Sequence, residues 1–447
     1  MAGLGWLQIV RLAFVQTALG AMLVLTTSTM NRVMVVELAF PAIVPGALVG
    51  IHYVLQLMRP VFGHGSDGGR RRTPSIVAGM AVLGLGAVGA SGATALMGVH
   101  PAAGIAAAIL AFVAIGAGVG AAGTNLLTLV ATEVAESRRG PAATLIWMMM
   151  IAGFAVTTGL AGHFLDPYSP GRLVLVTVVV CVVAFLVSVL AIVGVETGSA
   201  ASQSGAPPAA KPAFRAAFAE VWREAQTRRF TVFIFVSMLA YSAQDLILEP
   251  FAGIVFAMTP GQTTALSSAQ HGGTVVGMVL VAVLTPVLLR RLPGAVTVLC
   301  VAGCIASAIA LAMLSAEGIA PGFVPITPLV FALGLGNGVF SIAAIARMMG
   351  LARDGARDRE GVRMGIWGAS QAIAFGLGAF LGTVAVDLTG HLLGPGGAAY
   401  AFVFGVEALF FLVSARLASR VVAARRPPAS EADGVRTEHS SSEAVPA

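Results

Sequence analysis

The segment IGAGVG, residues 115–120, has a near copy in LGLGNG, residues 333–338, so that three glycines recur 218 positions apart. Other positions repeat at spacings of 219 or 220. They are His52 with His271, Arg72 and Pro74 with Arg291 and Pro293, and Ile146-Trp147 with Ile366-Trp367. Because this register holds across a whole half of the chain, the sequence predicts a duplicated unit.

The composition of the chain indicates what is duplicated. Hydrophobic residues make up 57% of the 447 positions, charged residues make up 10%, and the mean hydropathy is +0.91. A water-soluble domain does not have such a composition. A bilayer core requires about 20 apolar residues per helix, and the sequence contains twelve such runs. We therefore predict an all-α integral membrane protein with twelve transmembrane helices in two six-helix pseudo-repeats.

Basic residues predict the orientation of these helices. They fall in alternate connections, and such connections face the cytoplasm in bacterial membrane proteins. The residues concerned are Arg70, Arg71, Arg72, Arg138, Arg139, Arg215, Arg223, Arg228, Arg229, Arg290, Arg291, Arg353, Arg357 and Arg359. Both termini are then cytoplasmic. The formal charge of +6 follows from this topology and is no argument for nucleic acid binding, because a basic surface suits anionic lipid headgroups.

Four regions are predicted along the chain. Residues 1–196 form an N-terminal six-helix bundle, residues 197–229 a cytoplasmic linker, residues 230–422 a C-terminal six-helix bundle and residues 423–447 a disordered cytoplasmic tail. The linker begins with a run rich in Ser, Ala, Gly and Pro. Apolar residues then recur at helical spacing around Trp222, which predicts an amphipathic helix in the membrane interface. A partner-docking surface is the alternative for this helix.

Several apparent motifs do not support an enzyme. Residues 84–89 and 118–123 both match the glycine pattern of dinucleotide-binding proteins, yet each lies inside an apolar run rather than between a strand and a helix. Small residues at these spacings allow membrane helices to approach closely. Cys181, Cys300 and Cys304 also lie in apolar runs and are expected to act as small hydrophobes. We predict neither nucleotide binding, nor a protein-bound catalytic metal, nor enzymatic activity.

Ionisable residues within the predicted helices are the strongest functional signal, because a charge in hydrocarbon costs on the order of 3 kcal/mol. Four of them, together with two amides, form what we call the intramembrane polar cluster: Asn31, Arg32, Glu37, Gln244, Asp245 and Glu249. Asp245 and Glu249 share a helix face, so Arg32 between them would allow both to ionise. The cluster is either a structural ion pair between corresponding helices or a gate on the periplasmic side.

Four further side chains at membrane depth are candidates for binding. His52 and His271 occupy equivalent places in the second and eighth helices, and His163 lies in the fifth. A neutral imidazole either hydrogen-bonds a neighbour or ligates a metal through Nε2. Glu407 has no charged neighbour within its own helix, so we expect it to face a cavity, a neighbouring helix or a bound partner, with a buried hydrogen bond as the favoured case.

The loop after the second helix resembles a known signature. Gly63-x-x-x-Asp67 followed by Gly69-Arg70-Arg71-Arg72 is similar to the motif that the major facilitator superfamily carries between its second and third helices. In that superfamily, the Asp and the basic residues lock the cytoplasmic side. The chain departs from the motif at Gly68, where a basic residue is usual, and this departure weakens the case for an ordinary transporter charge relay.

Longer strings resemble the PucC and LhaA family, a branch of that superfamily. They are TSTMNRVMVVEL (27–38), RPVFGHGSDGGRRRTP (59–74), AYSAQDLILEPF (240–251), QHGG (270–273) and IWG (366–368) with Gln371. Members of the family are known as bacteriochlorophyll delivery proteins and help to assemble light-harvesting complexes in purple phototrophic bacteria. The resemblance covers nearly the whole chain except the linker and the tail.

This resemblance implies an assembly factor for an antenna complex (LH1 or LH2), in the intracytoplasmic photosynthetic part of the bacterial inner membrane. Its cargo would be bacteriochlorophyll, nascent antenna helices or both. The partners implied are antenna polypeptides, the reaction-centre core complex and bacteriochlorophyll-synthesis enzymes. His52, His271 or His163 would ligate the pigment magnesium, with Glu407 as a further candidate contact. The alternative is a proton-coupled solute transporter that uses Asp245 or Glu249.

Overall fold

The computed structural model describes residues 4–56, 71–196, 222–292, 294–354, 360–394 and 396–420. These residues form helices joined by short connections. In chain order the helices are α1 (Trp6–Glu37), α2 (Ile43–Gln56), α3 (Thr73–Met97), α4 (Pro101–Glu133), α5 (Glu136–Leu165), α6 (Pro170–Ile192), α7 (Ala225–Val255), α8 (Pro260–Leu289), α9 (Ala295–Ile319), α10 (Ile326–Asp354), α11 (Glu360–Leu393) and α12 (Gly397–Arg420).

Eleven of these helices, within the described ranges, are long and apolar enough to cross a membrane. The exception is α2, which has 14 described residues and is also apolar. Proline in the first turn begins several helices, including α4, α6 and α8, because the first turn needs no backbone N–H from that residue. The chain is therefore a multi-pass helical membrane protein.

The helices pack in pairs that recur six helices further along the chain. In the first half α3 packs against α4, α1 against α5 and α2 against α4. In the second half α9 packs against α10, α7 against α11 and α8 against α10. Each half has its own hydrophobic core, and the halves meet where α5 contacts α8, where α2 contacts α11 and where the end of α1 contacts α7.

The repeated glycines lie at close helix crossings. A Cβ atom at Gly116 would come within 2.9 Å of the carbonyl oxygen of His52, and one at Gly118 within 2.5 Å of the backbone nitrogen of Leu83. A Cβ atom at Gly334 would likewise collide with the backbone of α8 at Gln270. The glycines therefore allow α4 and α10 to lie against their neighbours.

The ends of α1 and α7 share an unusual backbone feature. The last turns of α1, Val33–Glu37, form a π-helix. Two residues later the chain passes through Ala39, which has a φ of 54°, and the corresponding turn after α7 passes through Ala257, which has a φ of 50°. Side chains disfavour this left-handed region by roughly 1–2 kcal/mol, so both turns are strained at an alanine.

Candidate functional site

The intramembrane polar cluster lies where α1 meets α7 and α8, and it joins the two halves by hydrogen bonds. The hydroxyl of Ser28 donates to Oε1 of Glu249, and the hydroxyl of Ser267 donates to the same oxygen at 2.5 Å. The hydroxyls of Thr29 and Thr264 are 3.1 Å apart. All five side chains are buried, so hydroxyls of both halves hold one oxygen of the Glu249 carboxyl group.

Within the described residues Arg32 forms no salt bridge to Asp245 or Glu249, although its charge acts on Glu249 at longer range, so the close bridge expected from the sequence is not found. It forms an ion pair with Glu37 of its own helix. It also donates from Nη2 to the carbonyl oxygen of Met258, across the interface between the halves, at 2.7 Å. The structure thus favours hydrogen bonds, not an ion pair, as the link between α1 and α7.

Gly253 of α7 lies against the Arg32 side chain. A Cβ atom at Gly253 would lie 3.2 Å from both Nε and Nη2 of Arg32. That spacing is tighter than an ordinary van der Waals contact. A larger side chain at position 253 would therefore require the guanidinium to shift by a few tenths of an ångström.

Two other members of the cluster, Asn31 and Asp245, also form hydrogen bonds with neighbouring helices. The amide of Asn31 donates to the carbonyl oxygen of Leu246. The amide of Gln270 donates to Oδ1 of Asp245 at 3.3 Å. Gln244 is fully buried, and neither polar atom of its side chain has a hydrogen-bond partner among the described residues.

The two equivalent histidines are both buried and face different surroundings. Nε2 of His52 lies 2.8 Å from the amide nitrogen of Gln56, one turn further along α2. His271 is 5% exposed and packs edge-on against Phe154, with ring centroids 5.1 Å apart. Helix packing, not a cavity open to the membrane, surrounds both rings, so a large planar ligand has no described access to either.

Glu407 lies in the middle of α12 and is 2% exposed. Neither carboxylate oxygen has a hydrogen-bond partner within the described part of the chain, so the buried hydrogen bond favoured from the sequence is not found there. Asp245 is close enough to interact with it electrostatically. A buried carboxylate in this setting is costly in its charged form, and it is therefore a candidate for protonation or for contact with a ligand.

His163 differs from the other histidines because it is exposed. It lies near the end of α5 beside a groove of about 430 Å³ between α5 and α8. Its neighbours on the outer face of α5 are exposed too, Leu160 by 59% and Phe164 by 61%. The residues that line the groove are Gly159, Gly162, His163, Asp166, Gly261, Gln262 and Ala265. The groove is thus shallow, floored by small residues and open toward the side of the bundle.

Most of the loop that resembles the superfamily signature, including Gly63, Asp67, Gly69 and Arg70, lies outside the described residues. Arg71 is exposed. Arg72 begins α3: its backbone N–H donates to Oε1 of Glu196 at 2.8 Å, and its Nη1 donates to Thr132 at 2.7 Å.

Glu196 is one of the residues that sequence reasoning missed. Its second oxygen accepts from the backbone N–H of Thr73 at 2.9 Å. Partial burial on its own would raise the pKa of Glu196, but the hydrogen bonds from Arg72 and Thr73 outweigh this effect and hold the pKa below its usual value. Glu196 is therefore a charged cap on the first turn of α3.

Two further carboxylates were missed at the opposite end of the bundle. Asp166, directly after α5, accepts hydrogen bonds at the start of α8, and Asp387 in α11 accepts hydrogen bonds at the start of α2. A signal was present in the sequence, since these residues are 221 positions apart, close to the repeat spacing.

The amphipathic linker helix lies mostly outside the described residues, although Glu224 at its end accepts two hydrogen bonds from Arg363, which is 1% exposed.

Solved structures with the same helix arrangement are transporters. The chain is similar to a D-xylose-proton symporter (TM-score 0.68, 12% identity, 93% of this chain and 97% of that one) and to the nucleoside transporter NupG (TM-score 0.67, 15% identity, 93% and 99%). It is also similar to a bacterial homologue of the human peptide transporters PepT1 and PepT2 (TM-score 0.64, 16% identity, 93% and 97%). These likenesses define the class: a membrane protein with the major facilitator superfamily fold.

Sequence relatives define the family more narrowly. The PUCC protein family matches residues 29–426. A Rhodobacter capsulatus protein named "Bacteriochlorophyll synthase 44.5 kDa chain" is 48% identical over 423 residues, 94% of this chain and 97% of the relative. Protein PucC of the same organism is 30% identical over 433 residues, 91% of this chain and 90% of the relative. The chain therefore belongs to the PUCC protein family, as the resemblance of its sequence strings predicted.

Proposed function

We propose that the chain is an assembly factor for a bacterial light-harvesting antenna complex, LH1 or LH2, and that it holds and delivers bacteriochlorophyll, nascent antenna helices or both. Family membership supports the setting, and the printed name of the R. capsulatus relative supports the pigment. The exposed imidazole of His163, beside an open groove, is the observation that supports a particular binding site. A chlorin cargo needs an axial ligand for its magnesium and a lateral entry from the bilayer.

His163 fits this role better than the other candidates. His52 and His271 are buried in helix packing, and Glu407 is buried without an opening to lipid. The groove beside His163, about 430 Å³ in volume, lies within the size range of small-molecule sites, about 300–1,000 Å³. When bound, the pigment supplies only the magnesium that an imidazole would ligate. The chain would supply the ligand nitrogen of His163 and the open groove beside it.

Purification from phototrophic membranes in mild detergent tests this function. We expect the preparation to show bacteriochlorin absorbance, antenna polypeptides or both. In His163→Phe we expect the pigment-to-protein ratio to fall several-fold. His391→Phe is the matched control, because His391 is also an exposed histidine in the last turn of a helix at the same end, and it should keep the parental ratio.

The outcomes separate the site from the function. A parent protein with neither pigment nor antenna polypeptide contradicts the proposed function. A pigmented parent whose ratio is unchanged in His163→Phe contradicts the site alone, and His52→Ala and His271→Ala then test the two buried histidines. Co-purification with the reaction-centre core complex or with enzymes of pigment synthesis would extend the set of partners.

We further propose that the chain crosses the membrane twelve times, α2 being the twelfth crossing, and that the halves are two six-helix repeats with both termini in the cytoplasm. The recurring helix pairs and the basic connections support this topology. Single cysteines in the tail and in the α5–α6 connection, labelled in right-side-out vesicles with an impermeant reagent, test it. Labelling of the tail cysteine in intact vesicles would contradict the cytoplasmic location.

The rival function is proton-coupled transport of a small solute. Its specific support is the fold, which the chain shares with a proton symporter at a TM-score of 0.68, and the buried Asp245. Uptake of a solute into liposomes that is lost in Asp245→Asn would favour this function. Asp245→Asn with unchanged antenna levels in the cell would favour the assembly role.

We also propose that the chain itself is not an enzyme, whereas the name of the R. capsulatus relative raises an enzyme subunit as an alternative. Within the described residues no group of three or more His, Cys, Asp or Glu side chains is placed to hold a metal. Purified protein that forms bacteriochlorophyll from its precursors without other chains would contradict our proposal.

A further inference from the structure

Asp387 links the two halves at the end of the bundle that lies opposite the arginine-rich connections. Although it belongs to α11, its Oδ1 accepts the backbone N–H of Ala42 at 2.9 Å, and its Oδ2 accepts that of Ile43 at 2.7 Å. These N–H groups belong to the start of α2, which has no intrahelical acceptors for them. A carboxylate of the second half therefore caps a helix of the first half.

Asp166 makes the reciprocal link. It follows α5 of the first half, and its Oδ1 accepts the backbone N–H of Gly261 at 3.1 Å, while its Oδ2 accepts the hydroxyl of Thr259 at 2.5 Å. Both donors belong to the start of α8 in the second half. Gly261 must be a glycine, because a Cβ atom there would meet Cγ of Asp166 at 2.6 Å.

The two links occupy equivalent places in the repeat. Asp387 follows Asp166 by 221 positions, and Gly261 follows Ala42 by 219. Each carboxylate is negative and faces the positive end of a helix dipole, so charge and hydrogen bonding act in the same direction. About one turn away from each carboxylate, the two helices cross closely, and a small residue stands at both crossings.

At the first crossing a Cβ atom on Gly162 of α5 would approach the backbone nitrogen of Ala265 in α8 to 2.8 Å. At the second, the glycine is on the other helix: Gly46 of α2 lies against Thr383 of α11, with no room for a Cβ atom. A small residue therefore stands at both crossings, on opposite partners. The helices can approach closely enough for the carboxylates to reach the helix starts.

We propose that Asp166 and Asp387 form a two-point clamp that holds the halves together at this end, and that the chain opens there only when both contacts break. The clamp is a conformational device of the fold, and Asp166 also lines the groove beside His163. The hydrogen bonds of Ser28, Thr29 and Arg32 lie beneath it on the same interface. Opening at this end therefore requires the clamp to release first, and release would also separate the walls of the groove beside His163.

Distance measurements between spin labels test the clamp. Val99 and Ile319 are 72% and 74% exposed at this end, one in each half, and carry the labels as cysteines after Cys181, Cys300 and Cys304 are replaced by alanine. In the parent we expect a single distance population, and in the opened state a second population at longer distance. Each of Asp166→Asn and Asp387→Asn removes the negative charge and one of the two acceptor oxygens. Each should raise the ratio of long to short distances about tenfold, and the double variant about a hundredfold, as loss of charge-assisted hydrogen bonds to a helix start implies.

A third carboxylate provides the matched control. Glu317 lies at the same end and accepts the backbone N–H groups of Gly322 and Val324 at 2.6 and 2.7 Å, but all three residues belong to one half. Glu317→Gln should leave the distance distribution unchanged. Unchanged distances in both single variants and the double variant, or an equal change in Glu317→Gln, would overturn the clamp. Thermal unfolding of each variant confirms that the labelled protein is folded, and if the double variant does not fold, the single variants decide.

Discussion

The two halves of the chain pack their helices in the same pairs and differ in what they bury at equivalent positions. In α6 the hydroxyl of Ser188 donates to the carbonyl oxygen of Phe185 at 2.8 Å. In α12, 219 residues later, the same two places hold Glu407 and Phe404, and Phe404 is fully buried where Phe185 is only partly buried. The second half has thus kept the packing frame while acquiring a buried carboxylate. The packing of the helices is what the two halves share, and the buried charged side chains are where they differ.

The largest expected effect tests the packing side of this comparison. Phe404 contacts Phe251 edge-on with ring centroids 5.0 Å apart, so Phe404→Ala should lower the free energy of unfolding by about 4 kcal/mol. Phe185→Ala is the matched change in the first half and should cost less than half as much. Thermal unfolding in detergent measures both. Equal losses would mean that α6 and α12 are equally embedded.

The next effect concerns the buried cation of the first half. Arg32→Met leaves Glu37 and the carbonyl oxygen of Met258 without their donor and should lower stability by about 3 kcal/mol, the lower end for a broken buried pair, because the Glu37 side chain is 34% exposed. Arg32→Lys should recover part of this loss. Wild-type stability in Arg32→Met would show that the pair contributes little to the interface between the halves.

Glu407 should show the opposite sign. Since its carboxyl group has no hydrogen-bond partner in the described chain, Glu407→Met, which puts an apolar side chain of similar length in its place, should raise the free energy of unfolding by about 2 kcal/mol. Ser188→Ala, at the equivalent position, should change it little. An antenna assembly assay on the same Glu407 variant then tests whether function requires this destabilising carboxyl group. A fall in thermal stability would indicate a partner outside the described residues.

The smallest effect lies at the arginine-rich end. Glu196→Gln removes a charged cap from α3 and should cost about 1 kcal/mol near neutral pH. Because the pKa of Glu196 is lower in the folded protein, its stabilisation is present above the unfolded pKa of about 4.3 and is lost as the pH falls through the folded pKa. Melting temperatures of parent and variant should therefore differ at pH 7 and converge in acid. A difference that persists at pH 3 would contradict this cause.

The sequence allowed the fold to be predicted because apolar length and basic connections act locally. The partner of Arg32 could not be predicted in this way. In an α-helix, five residues turn 500°, so Glu37 would lie about 140° away from Arg32. The π-helix of Val33–Glu37 changes this register and brings the two side chains together. Such an insertion leaves no mark in the pattern of apolar residues.

The sequence predicted which residue types form the candidate site, but it did not predict which of these side chains are exposed. His52, His271 and His163 read alike in sequence, as single histidines in apolar runs. The structure separates them, since His163 alone of the three is exposed, and that difference depends on how α5 meets α8. The clamp carboxylates were missed for a related reason. A cap whose carboxylate and helix start are 95 or 345 residues apart is a tertiary contact, and local capping patterns do not reveal it.

The backbone at Ala39 and Ala257 bears on how the two halves arose. Both residues hold a left-handed backbone that alanine adopts only at a cost, and they lie 218 positions apart. A costly turn that occurs twice at corresponding places is most simply inherited from one ancestor. The bend after the first helix of each half therefore belongs with the helix pairs and the close glycine crossings as a feature that both halves have kept.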